Sequence, residues 1–108
     1  MTKQDKENLQ NEKLTDSLLI SCLAACESVI SKNAYLEKKW CHDCKDYGGY
    51  RATRLEWMKH REKLRSLLLP IYSMKLIIQM TKSCKDKASQ KEVLQVLYLI
   101  ETNDYELV

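Results

Sequence analysis

Between Tyr50 and Leu67 the apolar and aromatic positions Tyr50, Thr53, Trp57, His60, Leu64 and Leu67 follow steps of three and four. That spacing puts one continuous stripe on a helix for about five turns, and it has no counterpart in a strand, whose period is two. A chain built around such a segment must bury the stripe against other helices. The rest of the sequence agrees. Only two glycines and one proline occur in 108 residues, too few for a sheet-rich fold with many tight turns. The predicted fold is therefore all-α, a single-domain bundle of four or five helices joined by short loops.

Along the chain, residues 1–13 (MTKQDKENLQNEK) carry little apolar surface and are expected to form a disordered tail ahead of a helical domain at 14–108. A first helix is expected from Thr15 or Asp16, either of which can cap it, to about Lys32. Its residues Leu18–Ile30 leave almost no polar face, the mark of a central element. A shorter helix is predicted over 33–46, closed by Gly48-Gly49. The striped helix follows and must stop or kink at Pro70, which suits the first turn of a new helix over Ile71–Cys84. Ser89-x-x-Glu92 is a capping box just before VLQVLYLI, and it favours a final helix over a strand. The C-terminal Tyr105-Glu106-Leu107-Val108 reads as a frayed tail.

Charge is distributed unevenly. The net charge is +3, yet Tyr50–Lys91 holds eleven Lys/Arg against Glu56, Glu62 and Asp86, a local +8. All four arginines, Arg51, Arg54, Arg61 and Arg65, lie within fifteen residues and cluster within roughly 80° of one helix face. Guanidinium binds carboxylate or phosphate through a planar fork, whereas lysine offers a point charge. Confining arginine to one helix while using lysine fourteen times points to an anionic partner, an acidic protein surface or nucleic acid. Lys59 and Lys63 on the other flank of the stripe, with Tyr50 and Trp57 as stacking groups, complete the expected binding face. The competing reading is that the arginines lay their stems along the core and pair with acids on neighbouring helices, with Glu27, Glu37, Asp46 and Glu101 as candidates.

The leading functional expectation is a small non-enzymatic helical module, an adaptor or inhibitor of nucleic-acid-handling machinery of the kind phages and mobile elements often encode. The alternatives are direct DNA or RNA binding, and self-association through the Tyr50–Leu67 stripe. A reducing, cytoplasmic setting is expected from five cysteines, an odd number, and the lack of a secretory leader. The longest near-apolar run is far short of a membrane span.

Cys41 and Cys44 form a C-x-x-C knuckle, and Cys22 and Cys26 share a helix face, so the four could hold zinc, with His42, His60 or Cys84 as substitutes. The contrary expectation is that Cys22 and Cys26, in the most apolar stretch, pack as small hydrophobes. The Trp40-Cys41-x-x-Cys44 string lacks the strand-then-helix setting of a redox motif. Gly49–Lys59, a basic helix after a glycine turn, resembles a helix-turn-helix recognition helix, although the segment before it lacks the small apolar pattern of a supporting helix. Arg54-x₅-His60 resembles the Arg-x₄₋₆-His pair of the all-helical HEPN ribonuclease domains. The resemblance implies Arg54 on a phosphate and His60 near a 2′-hydroxyl, though His60 also sits on the apolar stripe beside Trp57.

Overall fold

The computed structural model describes residues 12–40, 49–102 and 105–107. In chain order they form β1 (Glu12–Leu14), α1 (Asp16–Trp40), α2 (Tyr50–Leu68), α3 (Met74–Ser83), α4 (Gln90–Thr102) and β2 (Tyr105–Leu107). The fold is all-α in its core, with α1 packed against each of the other three helices and most extensively against α2.

Thr15 caps α1: its Oγ1 accepts from the Leu18 amide at 3.1 Å, and Asp16 adds negative charge to the first turn. Leu19, Ile20, Cys22, Leu23, Ala24, Ala25, Cys26 and Val29 are all buried, so the helix without a polar face is the central one, as its sequence requires. The predicted break near Lys32 does not occur. No glycine or proline interrupts 31–40, and the Asn33 side chain donates back to the Val29 carbonyl at 2.8 Å instead of capping a new helix. The segment assigned to a second helix is thus the outer third of α1 up to Trp40, and its remainder, 41–46, lies outside the described residues.

Gly49 precedes α2 with φ of 74°, the left-handed region that glycine alone enters at no cost. The stripe on α2 is spent inside the molecule: Trp57, Leu64 and Leu68 are buried in the common core with Leu19, Leu23 and Cys26. Pro70 ends α2 without starting the next helix. The amides of Ile71 and Tyr72 instead bond the Leu68 carbonyl at 2.9 and 2.8 Å, and Ser73 caps α3 by accepting from Leu76 at 3.2 Å. The helix expected from Ile71 therefore begins at Met74.

The capping box forms as read. The Ser89 hydroxyl accepts from the Glu92 amide at 3.1 Å and the Glu92 carboxylate reaches back to the Ser89 amide at 3.5 Å. Val93, Val96, Leu97 and Leu99 then face the core at helical spacing. Upstream, the Ala88 amide donates to the Ser21 carbonyl at 3.2 Å and pins the α3–α4 loop to α1.

The two ends of the chain differ from expectation. Glu12, Lys13 and Leu14 pair in parallel with Tyr105, Glu106 and Leu107. Residues 12 and 13 thus leave the expected tail, and 105–107 the expected frayed end, for this pairing. Leu14 is fully buried, and this anchor holds β1 where its backbone can satisfy that of β2. Residues 1–11 and Val108 lie outside the described residues.

Candidate anion-binding surface at the outer end of the helical hairpin

The arginines share one face of α2, and that face looks at α1. Arg51 Nε and Arg54 Nε each donate to one oxygen of Glu37 at 2.7 Å. A second guanidinium contact, Arg54 Nη2 to Glu37 Oε1, measures 3.4 Å. Ten residues back along α1, Arg61 Nη1 donates to Glu27 at 2.9 Å, and Arg65 lies 3.7 Å from the same oxygen. Arg65 also bonds Glu62 at 3.3 Å. Because α1 and α2 run antiparallel, one rung (Arg51, Arg54, Glu37) closes the outer end of the pair and the other (Arg61, Arg65, Glu27) closes the inner end.

This corrects the arginine-ridge expectation. Arg61 and Arg65 retain only 18% and 13% of their side-chain exposure and clamp two helices together, as the internal-pairing reading held. Trp57, at 6% exposure, cannot stack on a partner. The stripe proposed for self-association is closed for the same reason. Lys63 spans to Glu101 on α4 at 3.0 Å. Lys59 is exposed and Tyr50 half-buried.

The outer rung differs from the inner one in its surroundings. Each rung has a cleft of about 460 Å³ beside it: the inner one is walled by Glu27, Ser28 and Ser31 of α1 with Thr81, Lys82 and Lys87, whereas the outer one is lined by Ala34, Glu37, Lys38 and both outer arginines, Arg51 and Arg54. The two guanidinium groups hold the Glu37 carboxyl down to about 2, the hydrogen bond from Arg54 contributing most and that from Arg51 next. The same carboxylate raises Arg54 above its ordinary value. Arg51 stays 42% exposed.

On α1 next to this cleft, Lys32, Tyr35, Lys38 and Lys39 are exposed. At 100° per residue Lys32 and Lys39 fall about 40–60° to one side of Tyr35 and Lys38 about 60° to the other. Lys39 Nζ sits 5.8 Å from the Tyr35 ring centre and 5.1 Å from that of Trp40. The two rings are 62% and 50% exposed. Across 31–40 and 49–55 five cations thus accompany a single acid, Glu37, and the acid is turned toward α2. Lys32, Tyr35, Lys38, Lys39 and Trp40 were missed as site residues. The Lys32–Tyr35–Lys39 steps of three and four were legible, but they pointed to one face only once 31–40 was known to continue α1.

The remaining candidates resolve by position. Cys22 and Cys26 are fully buried in the core, and burial pushes both thiols up to about 12. At that value they are neutral and pack as small hydrophobes. Cys41, His42 and Cys44 lie outside the described residues, and among the described residues no cluster of three metal-ligating side chains occurs. Of the HEPN-like pair, Arg54 is committed to Glu37, while His60 packs edge-on to Trp57 with ring centres 5.1 Å apart.

His60 carries a measurable consequence. Neither of its buried ring nitrogens has a hydrogen-bond partner. Burial lowers its pKa below 6.5, with Glu56 and Glu101 opposing the shift and Lys63 reinforcing it. The unfolded chain then takes up a proton that the folded chain refuses, so stability is full above about 6.5 and declines as the pH falls from there to the folded value. Glu37 adds a second loss as the pH drops from 4.5 toward about 2. Urea unfolding should show the wild type weaker at pH 5.5 than at pH 7.5. A His60→Gln variant should show little difference between the two, and an equal decline in that variant would assign the pH dependence elsewhere.

The sequence matches no protein-family model, and neither curated proteins nor solved structures give a match to it. No helix among the described residues is long and apolar enough to cross a membrane.

Proposed function

We propose that this protein is a small non-enzymatic interaction module, an adaptor or inhibitor, that engages an anionic partner through the outer end of its α1–α2 hairpin. The observation that carries the reading is the division of labour between the two kinds of cation. Ion pairs among the described residues take all four arginines but only one lysine, Lys63. Lysines therefore supply the outward charge, and they gather with exposed aromatic rings where the hairpin leaves the core. Tyr and Trp beside cations are the residues that dominate interface energies. Arg51 and Arg54 belong to this surface as its floor, while Arg61 and Arg65 belong to the scaffold.

Retention on a polyanionic matrix tests the assignment. The wild type should elute well above the salt at which a Lys32→Glu/Lys38→Glu/Lys39→Glu variant elutes, because exposed-charge binding is screened and scales with the number of cations engaged. These side chains are solvent-facing, so the variant should unfold at nearly the wild-type urea midpoint. Identical elution of the two proteins would refute the placement of the surface.

A further inference from the structure

The composition of this surface says more than its sign. Resting on the reading that the hairpin end binds an anion, we infer that its partner is a single-stranded nucleic acid, held by base stacking on Tyr35 and Trp40 and by phosphate contact with the surrounding lysines.

An acidic protein segment would engage the cations, but it does not bring a planar face at every unit for the two exposed rings to stack on. A duplex would meet the lysines but keeps its base faces stacked inside. Unpaired nucleotides need both features together: a cationic track for the backbone and aromatic planes for the bases. Here the two are interleaved at the scale of one residue. Lys38 and Lys39 flank Tyr35 on either side round the helix, and the Lys39 ammonium lies over both rings, within 6 Å of each centre. An exposed ammonium within reach of both rings can turn to the phosphate linking two nucleotides as their bases take the ring faces. The cleft of Lys38, Arg51 and Arg54 extends the positive track on one side, and Lys32 extends it along α1. Every base presents a π face, so such a surface is tolerant of sequence.

The test uses the full chain, tryptophan fluorescence and four probes: twelve-nucleotide oligo-dT, oligo-U, a twelve-base-pair duplex and a twelve-residue polyglutamate. Trp57 is buried, so quenching on binding reports Trp40. The expected result is quenching of the wild type by both single strands. Read by fluorescence anisotropy of an end-labelled strand, which needs no tryptophan in the protein, affinity should be about tenfold lower in Trp40→Ala. The slope of log K against log salt should fall by about two in the triple lysine variant. Tighter binding of oligo-U than oligo-dT would assign the contact to RNA through its 2′-hydroxyl; equal binding would assign it to bases and phosphates alone, and either supports the inference.

Polyglutamate or duplex bound as tightly as the single strands, with Trp40→Ala indistinguishable from wild type, would overturn the inference while leaving the anion-binding surface in place. Absence of binding to all four probes at 50 mM salt would remove both. Trp40 is a half-exposed residue at the helix end, and a urea midpoint close to wild type would verify that its variant is folded.

Discussion

Leu23→Ala should cost about 2–5 kcal/mol of folding stability, the range for removing a fully buried leucine side chain from a packed core. Leu23 is 1% exposed and lies in the buried half of α1, the helix most extensively packed against the others. The cavity would therefore open at the junction of the bundle, where no single neighbour can move in to fill it. In a domain of this size the loss corresponds to a fall in Tm of roughly 10 °C or more. Urea unfolding with an unchanged m-value is the measurement. A loss below about 1 kcal/mol would mean that α1 is not the centre of the packing.

Glu27→Ala should cost about 2 kcal/mol, more than Arg61→Ala. The two sides of this rung are unequally buried. Glu27 keeps 39% of its side-chain exposure and can turn to water when its partner is removed. Arg61 and Arg65 cannot: they are mostly enclosed, and the Nε of each is already without a hydrogen-bond partner. Removing the shared carboxylate leaves both guanidinium groups with Glu62 of their own helix and no acid on α1, and weakening the pairing of two enclosed charges costs more than deleting one. Arg61→Ala should cost about 1 kcal/mol and leave retention on a polyanionic matrix as in the wild type. If Arg61→Ala instead abolished retention while stability stayed constant, the inner arginines would be contact residues and their scaffold role would fall.

The contrast between the two rungs also explains why one hairpin can serve both structure and recognition. Near the inner rung, α3 and α4 pack on α1, and Arg61 and Arg65 are largely enclosed. The buried residues of α1 end at Val29, and beyond it Arg51 and Arg54 of α2 hold the helix through Glu37. The outer rung ties the two helices together in that stretch, where Lys32, Tyr35, Lys38 and Lys39 of α1 are exposed.

Much of the architecture could be read from the chain alone, because it depends on local chemistry. The three-and-four spacing on Tyr50–Leu67 required a helix with one buried side. The all-apolar Leu18–Ile30 segment required a central one. Thr15 and the Ser89–Glu92 box marked helix starts through hydrogen bonds that span three residues. The clustering of four guanidinium groups on one face was equally legible, since helix geometry alone sets it. What spacing could not decide was which way that face points. Glu27 and Glu37 lie 14 to 38 residues away from the arginines they hold, and only the antiparallel docking of α1 on α2 brings them opposite. The continuation of α1 through Asn33 likewise turned on whether its amide would cap a new helix or bond back to Val29. The pairing of Glu12–Leu14 with Tyr105–Leu107 joins opposite ends of the chain, and no local pattern announces it. Sequence determined the elements and their buried faces; tertiary docking decided which charges cancel inside and which remain outside, because an ion pair depends on distance in space and not along the chain.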